Sequence, residues 1–257
     1  MILGGVQKIS LIDFPGKIAA TVFTSGCCFR CGFCYNSELV LPEKIKNHPK
    51  ISEKEFFDFL KERKNLLEAV CVTGGEPTLQ NDLPDFVKRI KKMGFLVKLD
   101  TNGTNPKIVK KLIDDKLIDY VAMDIKAPLG LKIQNPTLRR AQGCPEQNRG
   151  TKSKTQNYDE VTGTKADLSK IKESIDIIKN SGLDYEFRTT VVPVFHTKED
   201  ILQIARDISP AEKYFLQNFK PEKTLEPQFQ NIKPYPVEYL LEIQKAIAPF
   251  FEICQVR

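Results

Sequence analysis

The chain alternates short runs rich in β-branched residues with longer amphipathic stretches, and this alternation constrains its fold more than any other feature. Gly, Pro, Asn or Asp residues mark the junctions between the two kinds of segment. The predicted strands cover residues 18–23, 70–73, 96–100, 120–124, 185–191, 214–217 and 251–256. The predicted helices cover residues 53–64, 83–93, 106–116, 168–181, 198–208 and 237–248. Ser52 with Glu55 predicts a capping box at the first helix.

Mostly apolar strands separated by helices predict a parallel sheet with right-handed crossovers. Such a sheet is either open and doubly wound, or a closed or partly closed barrel. Six βα units favour a partial (β/α)6 barrel with parallel strands over the eight-unit barrel. A length of 257 residues, 41% of them apolar, suits a single domain over residues 1–257. In either architecture, ligands bind at the loops that leave the carboxyl ends of the strands.

One segment, residues 130–157, interrupts this alternation. It has little apolar periodicity and many Gln, Asn, Thr, Lys and Arg residues. We interpret it as a disordered insertion, with contact to a partner as the alternative.

Composition and charge limit the compartments in which the protein is expected and the classes of partner that it is expected to bind. No stretch approaches the roughly 18 apolar residues of a membrane helix, and the amino-terminal residues lack the features of a signal peptide. The predicted location is therefore the cytoplasm, with no membrane partner. The net charge of +6 is spread along helix-like segments. This distribution is typical of a solvated surface rather than of a nucleic-acid interface.

Four of the seven cysteines crowd into the short segment that follows the first predicted strand. Such clustering indicates a metal site in a reducing compartment rather than disulfides. Cys27, Cys31 and Cys34 can converge on one centre, whereas Cys28 is adjacent to Cys27, and neighbouring side chains usually diverge. Thiolates favour zinc or an iron–sulfur cluster. Structural zinc requires a fourth ligand, for which His48 is the candidate, while a cluster held by three cysteines leaves one iron open to an exogenous ligand.

The spacing C-x3-C-x-Φ-C, with Phe33 as the apolar residue, resembles that of the radical S-adenosylmethionine (SAM) superfamily. Members of that superfamily bind SAM at the open iron of a [4Fe–4S] cluster and cleave it reductively to a 5′-deoxyadenosyl radical. The resemblance implies that Cys27, Cys31 and Cys34 hold the cluster and that Cys28 does not. It also implies a role for Phe33 in the cofactor site.

A second match follows the second predicted strand, where Gly74, Gly75, Glu76 and Pro77 resemble the GGEP motif that holds the SAM amino group. By this resemblance the glycines let backbone carbonyls approach the ligand, Glu76 accepts from the ammonium, and Pro77 stiffens the turn. The alternative interpretation is an ordinary turn without a ligand.

Further matches end the third and fourth predicted strands, in the sequences DTNG and MDIK. They resemble the branch of activases that act on glycyl-radical enzymes, in which these positions contact the polar groups of SAM and, in some members, a monovalent cation. The resemblance assigns Asp100 and Asp124 to that cation, Asn102 to the site, and Lys126 to the SAM carboxylate or a ribose hydroxyl. The alternative role of these aspartates is to cap a helix or stabilise a turn.

Three more candidates come from the same resemblance. Asn36 matches a position that contacts SAM in several activases. Arg188, on the fifth predicted strand, is assigned to the SAM ribose or carboxylate, with a salt bridge to a neighbouring strand as the alternative. His196 follows that strand, where related activases can place a histidine that contacts SAM.

The opening GGVQKISLIDFPGKIAATVFTSGC and the later LQNFKPEKTL resemble anaerobic ribonucleoside-triphosphate reductase activating proteins. This likeness implies a glycyl-radical enzyme as partner, that reductase above all, and a flavodoxin or ferredoxin as electron donor. Two alternatives remain open. One is a radical SAM enzyme that acts on a small molecule, for example in deazapurine synthesis. The other is a zinc-stabilised binding module.

Overall fold

The computed structural model describes residues 1–130 and 158–257. Eight strands form one sheet in which they lie side by side in chain order. The first pair is antiparallel and every later pair is parallel. The strands are β1 (Leu3–Ser10), β2 (Ala19–Thr24), β3 (Ala69–Gly74), β4 (Leu96–Thr101), β5 (Tyr120–Asp124), β6 (Asp184–Val191), β7 (Ala211–Asn218) and β8 (Phe251–Val256).

Helices connect the parallel strands. They are α1 (Pro42–Asn47), α2 (Glu53–Glu62), α3 (Leu83–Lys92), α4 (Pro106–Asp114), α5 (Tyr158–Thr162), α6 (Leu168–Lys179), α7 (Lys198–Ile208) and α8 (Val237–Ile247). Each predicted helix exists and begins at the predicted residue, and five of the six end one or two residues earlier. The capping box of α2 is present, because the Ser52 hydroxyl accepts from the Glu55 amide and the Glu55 carboxylate accepts in return.

Strand β1 was not among the predicted elements. Its sequence, LGGVQKIS, carries two glycines and polar residues where a buried strand would carry apolar ones. It pairs with β2 alone over most of its length, as an antiparallel edge strand, and edge strands need only one buried face.

The two faces of the sheet differ in chemistry because side chains alternate along each strand. On one face, Val22, Val72 and Leu99 pack with helical residues such as Leu60 and Val87 in a single apolar core. The other face carries polar and charged residues at the alternate positions. Because of this period-two pattern, the apolar side chains of each strand pack against the helices and the polar side chains face an interior space.

The strands follow one another in chain order, and crossovers of the usual right hand then place the helices on one side of the sheet, which excludes the doubly wound alternative. Residues from β1 through β7 line one common cavity, so the sheet curves around it. The predicted partial barrel of six βα units is confirmed. The predicted insertion lies, apart from Gly130, outside the described residues. Among the helices that are described, none has the length and apolarity to cross a membrane.

Candidate active site

The cavity lies at the carboxyl ends of the parallel strands and has a volume of about 340 Å³. That volume falls within the range of about 300–1,000 Å³ for small-molecule sites. Ten of the twelve residues assigned to the cofactor site by resemblance line it. They are Phe33, Asn36, Gly74, Gly75, Glu76, Asp100, Asn102, Asp124, Lys126 and Arg188.

Three cysteines of the loop after β2 line the cavity, and the fourth does not. Cys27, Cys31 and Cys34 belong to the cavity wall and are called the three cavity-lining cysteines below. The Cys28 sulfur lies instead 3.2 Å from the Thr104 hydroxyl oxygen and 3.4 Å from the Asn102 amide nitrogen. The Asn102 amide nitrogen also lies 4.0 Å from the Cys27 sulfur, so Cys27 and Cys28 share a partner in the loop after β4, and of these two cysteines only Cys27 lines the cavity.

The donor set fits an iron–sulfur cluster. Burial raises the pKa of the Cys31 thiol to about 12 and also raises the pKa of Cys34. Sulfurs in such surroundings ligate as thiolates only when positive charge is placed against them, and the irons of a cluster supply that charge. Three cysteine ligands would leave one iron of a [4Fe–4S] cluster without a protein ligand.

The zinc alternative finds no support in the arrangement of side chains. The ring of His48, which was the candidate fourth ligand, hydrogen-bonds through Nε2 to the Gly4 carbonyl at 2.7 Å.

Aromatic packing covers the cysteine loop from the outside. The ring of Phe229 lies so close to Gly32 that a Cβ there would come within 2.2 Å of it. Phe33 contacts both Phe195 and Phe229, at centroid distances of 6.1 and 6.3 Å. Neither Phe195 nor Phe229 is among the residues predicted from the sequence, although the segment LQNFKPEKTL ends shortly before Phe229. These rings pack against the part of the loop that carries Gly32 and Phe33.

The two glycines of the GGEP segment permit contact with the cysteine loop. Gly74 has φ +118°, and a Cβ there would lie 2.4 Å from the Thr24 backbone. A Cβ on Gly75 would lie 2.1 Å from the Gly26 carbonyl oxygen. The Gly74 carbonyl accepts from the Asn36 side chain at 3.0 Å. The two glycines therefore let the GGEP segment pack directly against the chain at Thr24 and Gly26. The motif suggests a different role for them, which is to let a ligand approach the backbone.

Glu76 is buried and links two of the motifs. Its Oε1 accepts from the Thr78 amide at 3.1 Å, from the Thr78 hydroxyl, and from the Thr101 hydroxyl at 2.8 Å. Its Oε2 accepts from the Asn102 amide at 2.7 Å. Burial raises the pKa of Glu76 to about 7, against the opposing effect of these donors. The carboxylate therefore holds the turn after β4 in place while part of it faces the cavity.

Arg188 joins the two aspartates that the resemblance assigned to a cation. Its Nε donates to Asp124 Oδ1 at 2.9 Å, and a terminal nitrogen donates to Asp100 Oδ2 at 3.1 Å. Lys126 donates to the other oxygen of Asp124 at 2.9 Å, and Lys98 lies 3.4 Å from Asp100. Burial alone would raise the pKa of Asp124, but Arg188 and Lys126 hold it well below its usual range. Protein cations thus already pair with both of the carboxylates that the resemblance assigned to a monovalent cation.

A second buried carboxylate, which the sequence analysis missed, lies deeper in the barrel. Glu186 is fully buried and accepts from the Tyr120 hydroxyl at 3.0 Å and from Arg257 at 3.2 Å. Arg188 lies 3.8 Å from it and Lys98 lies 3.9 Å from it. Its position two residues before Arg188 on β6 was the only available signal, since that spacing places both on the same face.

Two assigned residues stay away from the cavity wall. His196 is buried, its Nδ1 accepts from the Val192 amide at 3.0 Å, and its Nε2 hydrogen-bonds to the Lys126 carbonyl at 2.8 Å. It supports the backbone that carries Lys126, and the structure does not bring it to the cavity. Pro77 begins a short 3-10 turn after β3 and is also absent from the wall.

Comparisons with known proteins agree with this arrangement. A family model described as the radical SAM superfamily matches residues 21–208. A protein of Methanocaldococcus jannaschii that carries the provisional name of a glycyl-radical enzyme activating enzyme is 31% identical, over 100% of this chain and 95% of that protein. The 7-carboxy-7-deazaguanine synthase of Archaeoglobus fulgidus is 32% identical over 54% of this chain and 58% of its own length.

Among solved structures, SuiB of Streptococcus suis bound to its precursor peptide SuiA shares the fold. The TM-score is 0.62 at 14% identity, over 90% of this chain and 47% of that chain. The family model spans well over half of this chain, and the three cavity-lining cysteines lie within the matched residues. The chain therefore belongs to the radical SAM superfamily, whose enzymes use a [4Fe–4S] cluster and SAM.

Proposed function

We propose that this radical SAM enzyme generates a glycyl radical on a partner enzyme, with anaerobic ribonucleoside-triphosphate reductase as that partner. The observation that carries the proposal is the full-length similarity to the M. jannaschii protein named as a glycyl-radical enzyme activating enzyme. The proposal extends that name to this chain.

When bound, the cluster and SAM would supply the radical chemistry, with one electron from a reduced flavodoxin or ferredoxin. In the balanced overall change, SAM, one electron and a glycine residue would give methionine, 5′-deoxyadenosine and a glycyl radical, the hydrogen atom passing from the glycine Cα to 5′-deoxyadenosine. Every other part of the reaction is binding, orientation and exclusion of water by the protein.

The cavity residues divide this work by their chemistry. The three cavity-lining cysteines hold the cluster, and Glu76 offers an acceptor to the ammonium of SAM. Lys126, two residues after β5, and Arg188, on β6, line the cavity with their charges paired to Asp124 and Asp100, and both are assigned by the resemblance to the SAM carboxylate or ribose. These assignments rest on the resemblance together with the placement of the side chains on one cavity, and ligand contact itself stays a prediction.

A second candidate function is modification of a small heterocycle. The similarity to the A. fulgidus 7-carboxy-7-deazaguanine synthase favours this second function, and that similarity extends over about half of this chain. Polar side chains of the barrel, including Gln7, Thr190 and Gln217, also line the cavity and can donate to or accept from a heterocycle. The shorter match makes this the weaker candidate.

The deciding experiment mixes the reduced, reconstituted protein with SAM and the reductase without oxygen. We expect an electron paramagnetic resonance doublet from a glycyl radical, together with 5′-deoxyadenosine. A reductase whose radical-bearing glycine is replaced by alanine is the matched control and should give no doublet. No doublet from a preparation that cleaves SAM would contradict the proposal, and conversion of a small heterocycle would support the second candidate.

A further inference from the structure

We propose that Glu186 is a positioning residue for the SAM site and that it acts on the ligand through Arg188. Four side chains form a closed ring of alternating charge inside the barrel, called the charge ring below. Its members are Asp100, Lys98, Glu186 and Arg188. The inference rests on the part of the proposed function that assigns Arg188 to SAM, and it adds the residue that holds Arg188 in place.

Each cation of the charge ring lies close to the same two carboxylates. One terminal nitrogen of Arg188 lies 3.1 Å from Asp100 and 3.8 Å from Glu186. Lys98 Nζ lies 3.4 Å from Asp100 and 3.9 Å from Glu186. The side chains of Lys98 and Glu186 are 3% and 0% exposed. Salt screens buried charges far less than exposed ones, so each member of the charge ring constrains its neighbours.

The strand register explains how the charge ring closes. Asp100 on β4, Ala122 on β5 and Glu186 on β6 stand at one level of the sheet. The two carboxylates therefore start from backbones roughly 9–10 Å apart, which is two strand spacings. The short side chain of Ala122 leaves the space between them open. Lys98 reaches this space from two residues before Asp100, and Arg188 reaches it from two residues after Glu186.

One half of the charge ring belongs to the cavity wall and the other half does not. Asp100 and Arg188 line the cavity, whereas Lys98 and Glu186 do not. Glu186 is therefore out of contact with a ligand in the cavity. Any effect that it has on such a ligand passes through Arg188 or through the rest of the charge ring.

Further donors fix the orientation of the Glu186 carboxylate. The Tyr120 hydroxyl donates to Oε2 at 3.0 Å, and Arg257 lies 3.2 Å from Oε1 and 3.4 Å from Oε2. The Arg257 guanidinium also lies over the face of Phe215, 3.4 Å from its centroid. A carboxylate held in this way presents a fixed negative charge to Arg188. Side chains that bind a ligand do so best when such neighbours lock their rotamers.

Arg188 needs this neighbour because its side chain is long and has many rotamers. Its Nε pairs with Asp124, and one terminal nitrogen lies between Asp100 and Glu186. Without the Glu186 charge, that nitrogen keeps one carboxylate instead of two. The guanidinium then gains orientations that a bound ligand has to restrict again, and this restriction costs affinity. Loss of the Glu186 charge should therefore weaken SAM binding.

The test is a double-mutant cycle on SAM affinity, measured by anaerobic titration calorimetry on the reconstituted protein without any partner. The variants are Glu186→Gln, Arg188→Gln and the two together. Glu186→Gln keeps the length of the side chain and an acceptor for Tyr120, and it removes the charge. The matched control is Asp184→Asn on the same strand. It removes a carboxylate that pairs with Lys213 at 2.9 Å and is not part of the charge ring.

We expect Glu186→Gln to weaken SAM binding roughly 2- to 150-fold, the range for residues coupled in one ion-pair network. In the Arg188→Gln background, the same substitution should change the affinity by less than about twofold. Asp184→Asn should bind SAM as the unmodified protein does. An equal loss in both backgrounds, or in the control, indicates a general loss of packing and overturns the inference. Tighter binding by Glu186→Gln, or unchanged affinity in Arg188→Gln, also overturns it.

Glu186→Asp covers the case in which loss of the charge prevents folding, which iron content after reconstitution reveals. This variant keeps the charge but withdraws the carboxylate from Arg188 by one methylene group. We expect a smaller loss of SAM affinity, again absent in the Arg188→Gln background, and an unchanged affinity overturns the inference. Because no partner takes part in these measurements, a missing glycyl doublet refutes the proposed function and leaves the role of Glu186 standing.

Discussion

Replacement of Glu76 tests the role of the buried carboxylate that connects the GGEP segment to the turn after β4. In Glu76→Ala, the backbone amides of Thr78 and Asn102 lose their acceptor inside the protein. Each buried donor left without a partner costs about 1–3 kcal/mol, so we expect the free energy of unfolding to fall by about 2–6 kcal/mol. In Glu76→Gln, Oε1 remains and only the Asn102 amide loses its acceptor, so the expected fall is about 1–3 kcal/mol.

The two variants should agree on SAM affinity even though they differ in stability. Either substitution removes the negative charge, and loss of a charge-assisted hydrogen bond of about 1.5–3 kcal/mol weakens binding roughly 10- to 150-fold. The pH dependence gives a second readout. In the free protein Glu76 is protonated below about pH 7 and ionised above it, so a ligand ammonium binds more tightly as pH rises through that value. Glu76→Gln should lose this dependence.

The assays are anaerobic denaturant unfolding and SAM binding by titration calorimetry on either side of that pH. Thr78→Val is the matched control, because it removes one hydroxyl donor to the carboxylate and keeps the charge. A folded Glu76→Gln variant with unchanged SAM affinity would refute ligand contact and leave Glu76 a purely structural role. Undiminished stability in Glu76→Ala would refute the hydrogen-bond reasoning.

Three further predictions follow from the site. Alanine at any of the three cavity-lining cysteines should prevent reconstitution of a full cluster, measured by iron content and absorbance. Alanine at Cys28, the fourth cysteine of the loop, should not. The reverse pattern would overturn the ligand assignment. Gly75→Ala should lower the free energy of unfolding by about 1–3 kcal/mol through overpacking, because its Cβ would lie 2.1 Å from the Gly26 carbonyl oxygen. Gly5→Ala is the control, because a Cβ there meets nothing within 4 Å. Equal effects of the two substitutions in denaturant unfolding would contradict the close approach. Arg188→Gln should destabilise the fold at neutral pH by less than the about 3–5 kcal/mol of a fully uncompensated buried charge, because Lys126 still pairs with Asp124 and Lys98 with Asp100. The pKa of Asp124 is depressed in the folded protein, so its ionised form stabilises the fold above the unfolded pKa of about 3.9, and this contribution is lost as pH falls. The difference in unfolding free energy between Arg188→Gln and the unmodified protein should therefore shrink in acid. An equal difference at neutral and acidic pH would argue against this reasoning.

The local parts of the fold were readable from the sequence. The predicted parallel strands and helices exist because period two and period 3.6 are properties of neighbouring residues, and the capping box at Ser52 needs only four residues. Strand β1 was not predicted because its glycines and polar residues do not give the alternation of apolar and polar residues that is typical of a strand. Pairing with β2 stabilises β1 although its own sequence has little strand preference. The cysteine spacing likewise places three sulfurs in one loop, because these positions are close neighbours in the chain.

Partner choice within the site required the tertiary structure. The sequence placed Asp100 and Asp124 at strand ends and Arg188 within the fifth predicted strand, yet only the register of β4, β5 and β6 brings the guanidinium between both carboxylates. His196 carried the same kind of sequence signal and lies away from the cavity, because its ring bonds to two backbone segments. Sequence alone determined which residue types occupy the barrel face, since alternation is local. Which of them meet was decided by sheet curvature and register, because these contacts join residues that are far apart in the chain.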